Sequence, residues 1–140
     1  MKTLVLYYSF SGRTKKEAEK LAAKVGGELC EISEVKKRNL FTAFIPGCPQ
    51  ALGRKATAIR APAVKLEDYD RIYIGAPVWA SSPAPAFNAA VNMLPTGKEV
   101  GVFLTSGGGD TSKSAEGTKK MIKDKGCKVI EYKDIIAPKK

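Results

Sequence analysis

Histidine is absent from the 140 residues. That excludes Ser-His-Asp and Cys-His catalysis, histidine-ligated zinc or haem, and an imidazole general base. Any chemistry here is expected from something bound, with no catalytic side chain and no metal site of the protein's own. Cysteine is scarce: Cys30, Cys48 and Cys127 form no CxxC and stand too far apart for a disulfide framework or a four-sulfur metal site. They suit a reducing compartment. Long apolar runs are also missing. The stretch after Lys2 is only Leu4-Val5-Leu6-Tyr7-Tyr8, too short for a signal-peptide core, and nothing later approaches a membrane span. The expectation is a cytoplasmic protein.

Negative charge is in short supply, with 14 acidic residues against 24 Lys and Arg and a formal net charge of +10. Residues 1–70 hold 13 bases and 8 acids and residues 71–140 hold 11 and 6, so each half carries +5 and neither is a basic tail. Lys36-Lys37-Arg38, the densest run, is as short as an ordinary solvated loop. No RNP, KH or zinc-finger pattern accompanies the charge, so a nucleic-acid partner is not expected. The excess is a general field that favours anionic ligands or partners.

What is present is ordinary globular composition, 44% hydrophobic and 27% charged. It is enough for one domain over residues 1–140, burying roughly two-thirds of its unfolded surface. Leu4 to Tyr8 is a continuous apolar run, the mark of a strand covered on both faces. Arg13 to Val25 is an amphipathic helix: Ala18, Leu21, Ala22 and Val25 share one side, lysines and glutamates the other, and Gly26-Gly27 stops it. Glu28 to Ile32 carries two acids and suits a sheet edge, as does the mixed Cys127 to Tyr132. Ile72 to Gly75 and Val100 to Leu104 are again covered strands. Ser82 and Pro83 supply an N-cap and a first-turn proline for a helix through Phe87 and Val91 towards Met93. A further helix runs from about Thr111 to Lys125, with Asp110 at its positive end and Gly126 just past its last turn.

Strands alternate with helices throughout, and covered and edge strands are distinguishable. Both facts predict a three-layer, doubly wound α/β fold with a five-stranded parallel sheet in the order 2-1-3-4-5. Ligands then bind where the order reverses, between the first and third strands. The loops concerned start at Ser9, Ala76 and Thr105. Ser33 to Asp70 fits least neatly, being long and holding Pro46, Pro49 and Pro62; Gln50 to Ala58 could form a short helix within it.

The first loop, Ser9-Phe10-Ser11-Gly12-Arg13-Thr14, brings three hydroxyls and a glycine to a helix start, where backbone N–H groups and the helix dipole favour an anion such as phosphate. There is no GxGxxG for a nicotinamide site and no GxxxxGK[ST] for a Walker site. A phospho-receiver domain shares the strand order but places acids where this chain has Ser9 and Gly75. Cys48 and Arg54 satisfy the bare Cys-x5-Arg of cysteine phosphatases, but Ile45-Pro46-Gly47 ahead of Cys48 has the composition of a turn, where those enzymes have a strand end.

Ser9 to Thr14 resembles the phosphate loop of the flavodoxin family, Ser/Thr-x-Ser/Thr-Gly-x-Thr after an N-terminal strand. Gly75-Ala76-Pro77-Val78-Trp79 is similar to that family's second flavin loop, followed by the proline-containing helix start of its short-chain members. Thr105-Ser106-Gly107-Gly108-Gly109-Asp110 resembles the third loop. The resemblance implies a flavodoxin-like fold that binds FMN, with the phosphate at Ser9, Phe10, Ser11, Gly12, Arg13 and Thr14. It places the isoalloxazine between Ala76, Pro77, Val78, Trp79 and Ala80 on one side and Thr105, Ser106, Gly107 and Gly108 on the other. Trp79, the only tryptophan, is suited to stack on the ring. The third loop lacks the second aromatic common in the family, so the other ring face is either open or covered by Phe41 or Phe44.

The function implied is electron transport through FMN, with a redox partner protein that could offer an acidic docking surface. Two alternatives stay open at this point: an FMN-dependent NAD(P)H:quinone-type reductase, and a flavodoxin-like scaffold that holds no flavin and acts by partner binding.

Overall fold

The computed structural model describes residues 2–8, 13–32, 65–79, 82–83, 85–106 and 115–136. Five strands run parallel: β1 (Thr3–Tyr7), β2 (Glu28–Glu31), β3 (Arg71–Trp79), β5 (Glu99–Ser106) and β6 (Lys128–Ile136). The two-residue β4 (Ser82–Pro83) pairs antiparallel with the end of β3. The order is β2-β1-β3-β5-β6, the predicted doubly wound arrangement once β4 is set aside. The fold is flavodoxin-like α/β.

Helix α1 (Arg13–Val25) covers one face of the sheet and has the predicted bounds. Ala18 and Ala22 are buried against Val5, Tyr7, Tyr73 and Phe103, with Leu21 and Val25 at the margin. Gly26 ends the helix at φ 68°, and the Gly27 N–H returns to the Ala22 carbonyl at 3.0 Å. On the other face lie α2 (Pro85–Asn92) and α3 (Ala115–Asp124). Here Phe87, Val91 and Ile122 pack on Leu4, Leu6, Ile72, Ile74, Val100 and Val102 in the larger core. The end of α3 closes as predicted at Gly126, φ 79°: its N–H meets the Lys123 carbonyl at 2.9 Å, and Cys127 N–H meets the Ile122 carbonyl at 3.4 Å.

Three expectations change. Ser82 and Pro83 do not open α2; their backbones pair with Trp79 and Val78, and the helix starts at Pro85. A tertiary pairing has overridden a good local cap. Strand β3 continues past Gly75 to Trp79 because Ala76 and Pro77 still pair with Leu104 and Thr105. Strand β6 continues past Tyr132 to Ile136, and its register steps from Val100 opposite Val129 to Gly101 opposite Glu131, leaving Ile130 as a bulge. The predicted helix start near Thr111, the segment Gln50 to Ala58 and the Cys48–Arg54 pattern lie outside the described residues.

Charged contacts tie the amino edge of the sheet. The Arg71 guanidinium donates to Glu99 Oε1 from Nε at 3.0 Å and from Nη2 at 2.8 Å, across register partners of β3 and β5. The Lys2 backbone N–H donates to Asp70 Oδ2 at 3.0 Å, and the Tyr69 hydroxyl donates to the Glu28 carboxylate. Cys30 and Cys127 are buried free thiols. Among the described residues, no helix is long and apolar enough to cross a membrane.

Candidate functional site

In a parallel sheet every strand points the same way, so the ends of β1, β3 and β5 share one edge. The register fixes their relation: Tyr7 lies opposite Gly75, Gly75 opposite Phe103, and Pro77 opposite Thr105. Beyond β1 the Tyr8 N–H still donates to the Gly75 carbonyl at 2.9 Å. Chain then leaves β1 for α1 on one face, whereas β3 leads to α2 on the other. The crevice between those departures is the switch point of a doubly wound sheet.

Side chains alternate along each strand. Ile72, Ile74, Ala76 and Val78 belong to the core under α2 and α3, and Tyr73 to the face under α1. On β5, Phe103 is on the α1 face and Thr105, two residues later, follows it there. Thr14, in the first turn of α1, meets it: the two Oγ1 atoms are 2.7 Å apart, with Thr14 1% and Thr105 2% exposed. Two loops assigned by sequence to opposite ends of a ligand are thus joined by a buried hydroxyl pair.

The first turn of α1 holds no acidic residue, and Lys15 and Lys16 are exposed there. Cations at the positive end of a helix dipole are unfavourable alone and suit an arriving anion. Burial, then the charges of Glu31 and Glu19, push the Tyr7 phenol above its ordinary value. Tyr7 therefore adds no negative charge to this edge at neutral pH.

Of the predicted site residues, Thr14 and Thr105 are in contact. Ala76 is buried in β3, Pro77 and Val78 are half-buried beside it, and Ser106 is half-buried as the last residue of β5. Arg13 is the first residue of α1 and Trp79 the last of β3. Ser9, Phe10, Ser11, Gly12, Ala80, Gly107 and Gly108 lie outside the described residues. The Thr14–Thr105 link itself was not foreseen. A threonine in each of two strand-end loops was its only sequence signal.

No protein-family model matches this sequence, and no curated protein matches it. Solved structures do. A flavoprotein of Lactobacillus acidophilus NCFM, crystallised in complex with FMN, is 30% identical; the match covers 95% of this chain and 92% of that one, with a TM-score of 0.79. The apo form of the Lactobacillus acidophilus NCFM flavoprotein, solved by NMR, is also 30% identical over 95% of this chain and 91% of that one, TM-score 0.73. Oxidised flavodoxin 1 of Bacillus cereus shares the fold at 20% identity, covering 100% of this chain and 87% of that one, TM-score 0.60. The strand order, the switch-point crevice and this near full-length identity agree, and the chain belongs to the flavodoxin-like flavoproteins.

Proposed function

We propose that this protein binds FMN at the carboxyl edge of β1, β3 and β5 and works as an electron carrier. The observation that carries this reading is the FMN complex of a protein 30% identical over 92% of its length. The donor set here fits the same cofactor. Thr14 and Thr105 bring hydroxyls to the edge, α1 points a base-rich first turn at it, and Ala76 and Pro77 keep the end of β3 slim.

The phosphate is held by Ser9, Phe10, Ser11, Gly12, Arg13 and Thr14. Ala76 to Ala80, with Trp79 as the stacking side chain, and Thr105 to Gly108 hold the ring. Bound FMN supplies the redox chemistry. The protein binds and orients it, and surrounds it with fixed dipoles and positive charge, so no side chain acts as a catalytic acid or base. The +10 charge favours a redox partner with an acidic docking surface, and the scarcity of cysteine and of long apolar runs supports a cytoplasmic setting.

The test begins with colour. Purified protein is expected to carry, or to take up from added FMN, a yellow flavin with quenched fluorescence. A colourless protein that takes up none would leave only the flavin-free scaffold. Stopped-flow mixing then separates carrier from reductase. A carrier, once reduced, passes electrons rapidly to a protein acceptor and is not reduced directly by NADH or NADPH; rapid direct reduction by either, followed by quinone turnover, would overturn the carrier role.

A further inference from the structure

We infer that Thr105 is a positioning residue: it donates its hydroxyl proton to Thr14 Oγ1 and thereby aims the Thr14 proton at the cofactor phosphate. This rests on the FMN reading above. Each threonine hydroxyl has one proton to donate and lone pairs to accept with. At 2.7 Å, one of the two protons lies between the oxygens and the other is left over. Either direction satisfies the pair, but both side chains are almost fully buried, so the left-over proton needs an acceptor other than bulk water.

The surroundings choose the direction. Thr14 stands in the first turn of α1, which itself carries no acidic residue and where exposed Lys15 and Lys16 and the helix dipole favour an anion. A phosphate dianion offers acceptors only. The group beside it must therefore donate, and if Thr14 donates outward the bridging proton has to come from Thr105. Hydrogen bonds in such a chain strengthen one another by about 10–30% per bond. Thr105 is well placed to hold the direction, since it sits in β5 opposite Pro77 and is fixed by the sheet rather than by a loop.

The experiment compares dissociation constants of FMN and riboflavin, which differ by the phosphate alone, measured by quenching of flavin fluorescence on apo-protein. Thr105→Val is expected to weaken FMN about tenfold more than it weakens riboflavin, whose ring the same loop holds, as for a charge-assisted hydrogen bond lost at one remove. Thr105→Ser, which restores the hydroxyl, should restore the preference for FMN. Thr105→Ala repeats the deletion without adding a buried methyl against Thr14, in case the valine does not fold. In a Thr14→Val background, Thr105→Val should have no further effect on the FMN-to-riboflavin ratio.

An unchanged ratio in Thr105→Val and Thr105→Ala overturns the inference. So does equal weakening of both flavins, which marks a structural role only, or an effect that persists without the Thr14 hydroxyl. A wild-type protein that binds neither flavin fails in a different place: it overturns the cofactor reading, and this inference with it.

Discussion

Gly75 lies directly beneath the ring of Phe103, its register partner on β5. A Cβ built on Gly75 would stand 2.1 Å from the ring carbon Cζ. The relation is reciprocal: two residues earlier on β3, Tyr73 lies over Gly101 of β5, where a Cβ would stand 2.4 Å from Cδ2. Each strand lends the other a glycine floor for an aromatic, and α1 closes over both rings.

Gly75→Ala is accordingly expected to destabilise by about 3 kcal/mol, the upper end of ordinary overpacking. Phe103→Leu in the same chain should recover part of the loss by shortening the side chain that clashes. Urea unfolding midpoints at an unchanged m-value measure both. A neutral Gly75→Ala would mean that the ring is not held over the glycine.

The Thr14–Thr105 pair predicts a second stability pattern, separate from flavin binding. In the flavin-free protein, Thr14→Val or Thr105→Val each strands one buried hydroxyl, at a cost of about 1–3 kcal/mol. The double variant buries two apolar side chains of nearly the same shape and should cost less than the sum, with a coupling of about 1–2 kcal/mol. Additive losses would show that the hydroxyls do not depend on each other.

Much of this architecture was legible because the signals were local. The bounds of α1 follow from the spacing of Ala18, Leu21, Ala22 and Val25 and from Gly26 stopping the turn at positive φ. The strand order followed from composition: uninterrupted apolar runs in β1, β3 and β5 tolerate neighbours on both sides, whereas Glu28 and Glu31 mark β2 as an edge. Local signals also misled. Ser82-Pro83 is a sound helix start by itself, but pairing with Val78 and Trp79 satisfies its backbone first. Lys133-Asp134 has the composition of a turn, yet it continues β6 because Phe103 and Leu104 offer an unpaired edge. At the site, hydroxyls and glycines showed which loops matter. The Thr14–Thr105 contact spans 91 residues and depends on β5 lying two strands from β1, which no local pattern encodes.

Tyr69 gives a pH-dependent prediction at the opposite edge of the sheet. Its hydroxyl bond to Glu28, then burial and the Glu28 charge, push the phenol from the ordinary 10 up to about 12. Folding thus favours the protonated phenol. Its contribution to stability should be complete below pH 10 and lost as pH rises towards 12. Absorbance at the phenolate band should show a tyrosine titrating well above pH 10, and Tyr69→Phe should remove that step. Tyr69→Phe should lower stability at neutral pH by about 1 kcal/mol and flatten the alkaline loss. A Tyr69 that ionises near pH 10 in the folded protein would contradict the Glu28 contact.

The +10 charge bears most directly on how this protein would behave as an electron carrier. Adding negative charge to a bound flavin is easier in a positive field, so the reduction potential should be less negative than in carriers with an acidic surface. The same field steers encounter with an acidic partner. Lys15 and Lys16 are exposed on the turn of α1 that starts at the cofactor edge, so their contribution acts at short range. Raising the ionic strength from about 0.01 to 0.15 M shortens the screening length from about 30 to about 8 Å, which should slow association markedly in stopped-flow mixing. Lys15→Glu with Lys16→Glu should slow it already at low salt and flatten the salt dependence, measured on protein shown to have FMN bound. A rate that ignores salt in the wild type would remove the acidic partner from the proposal. A salt-dependent rate that ignores this double variant would move the docking surface away from the start of α1.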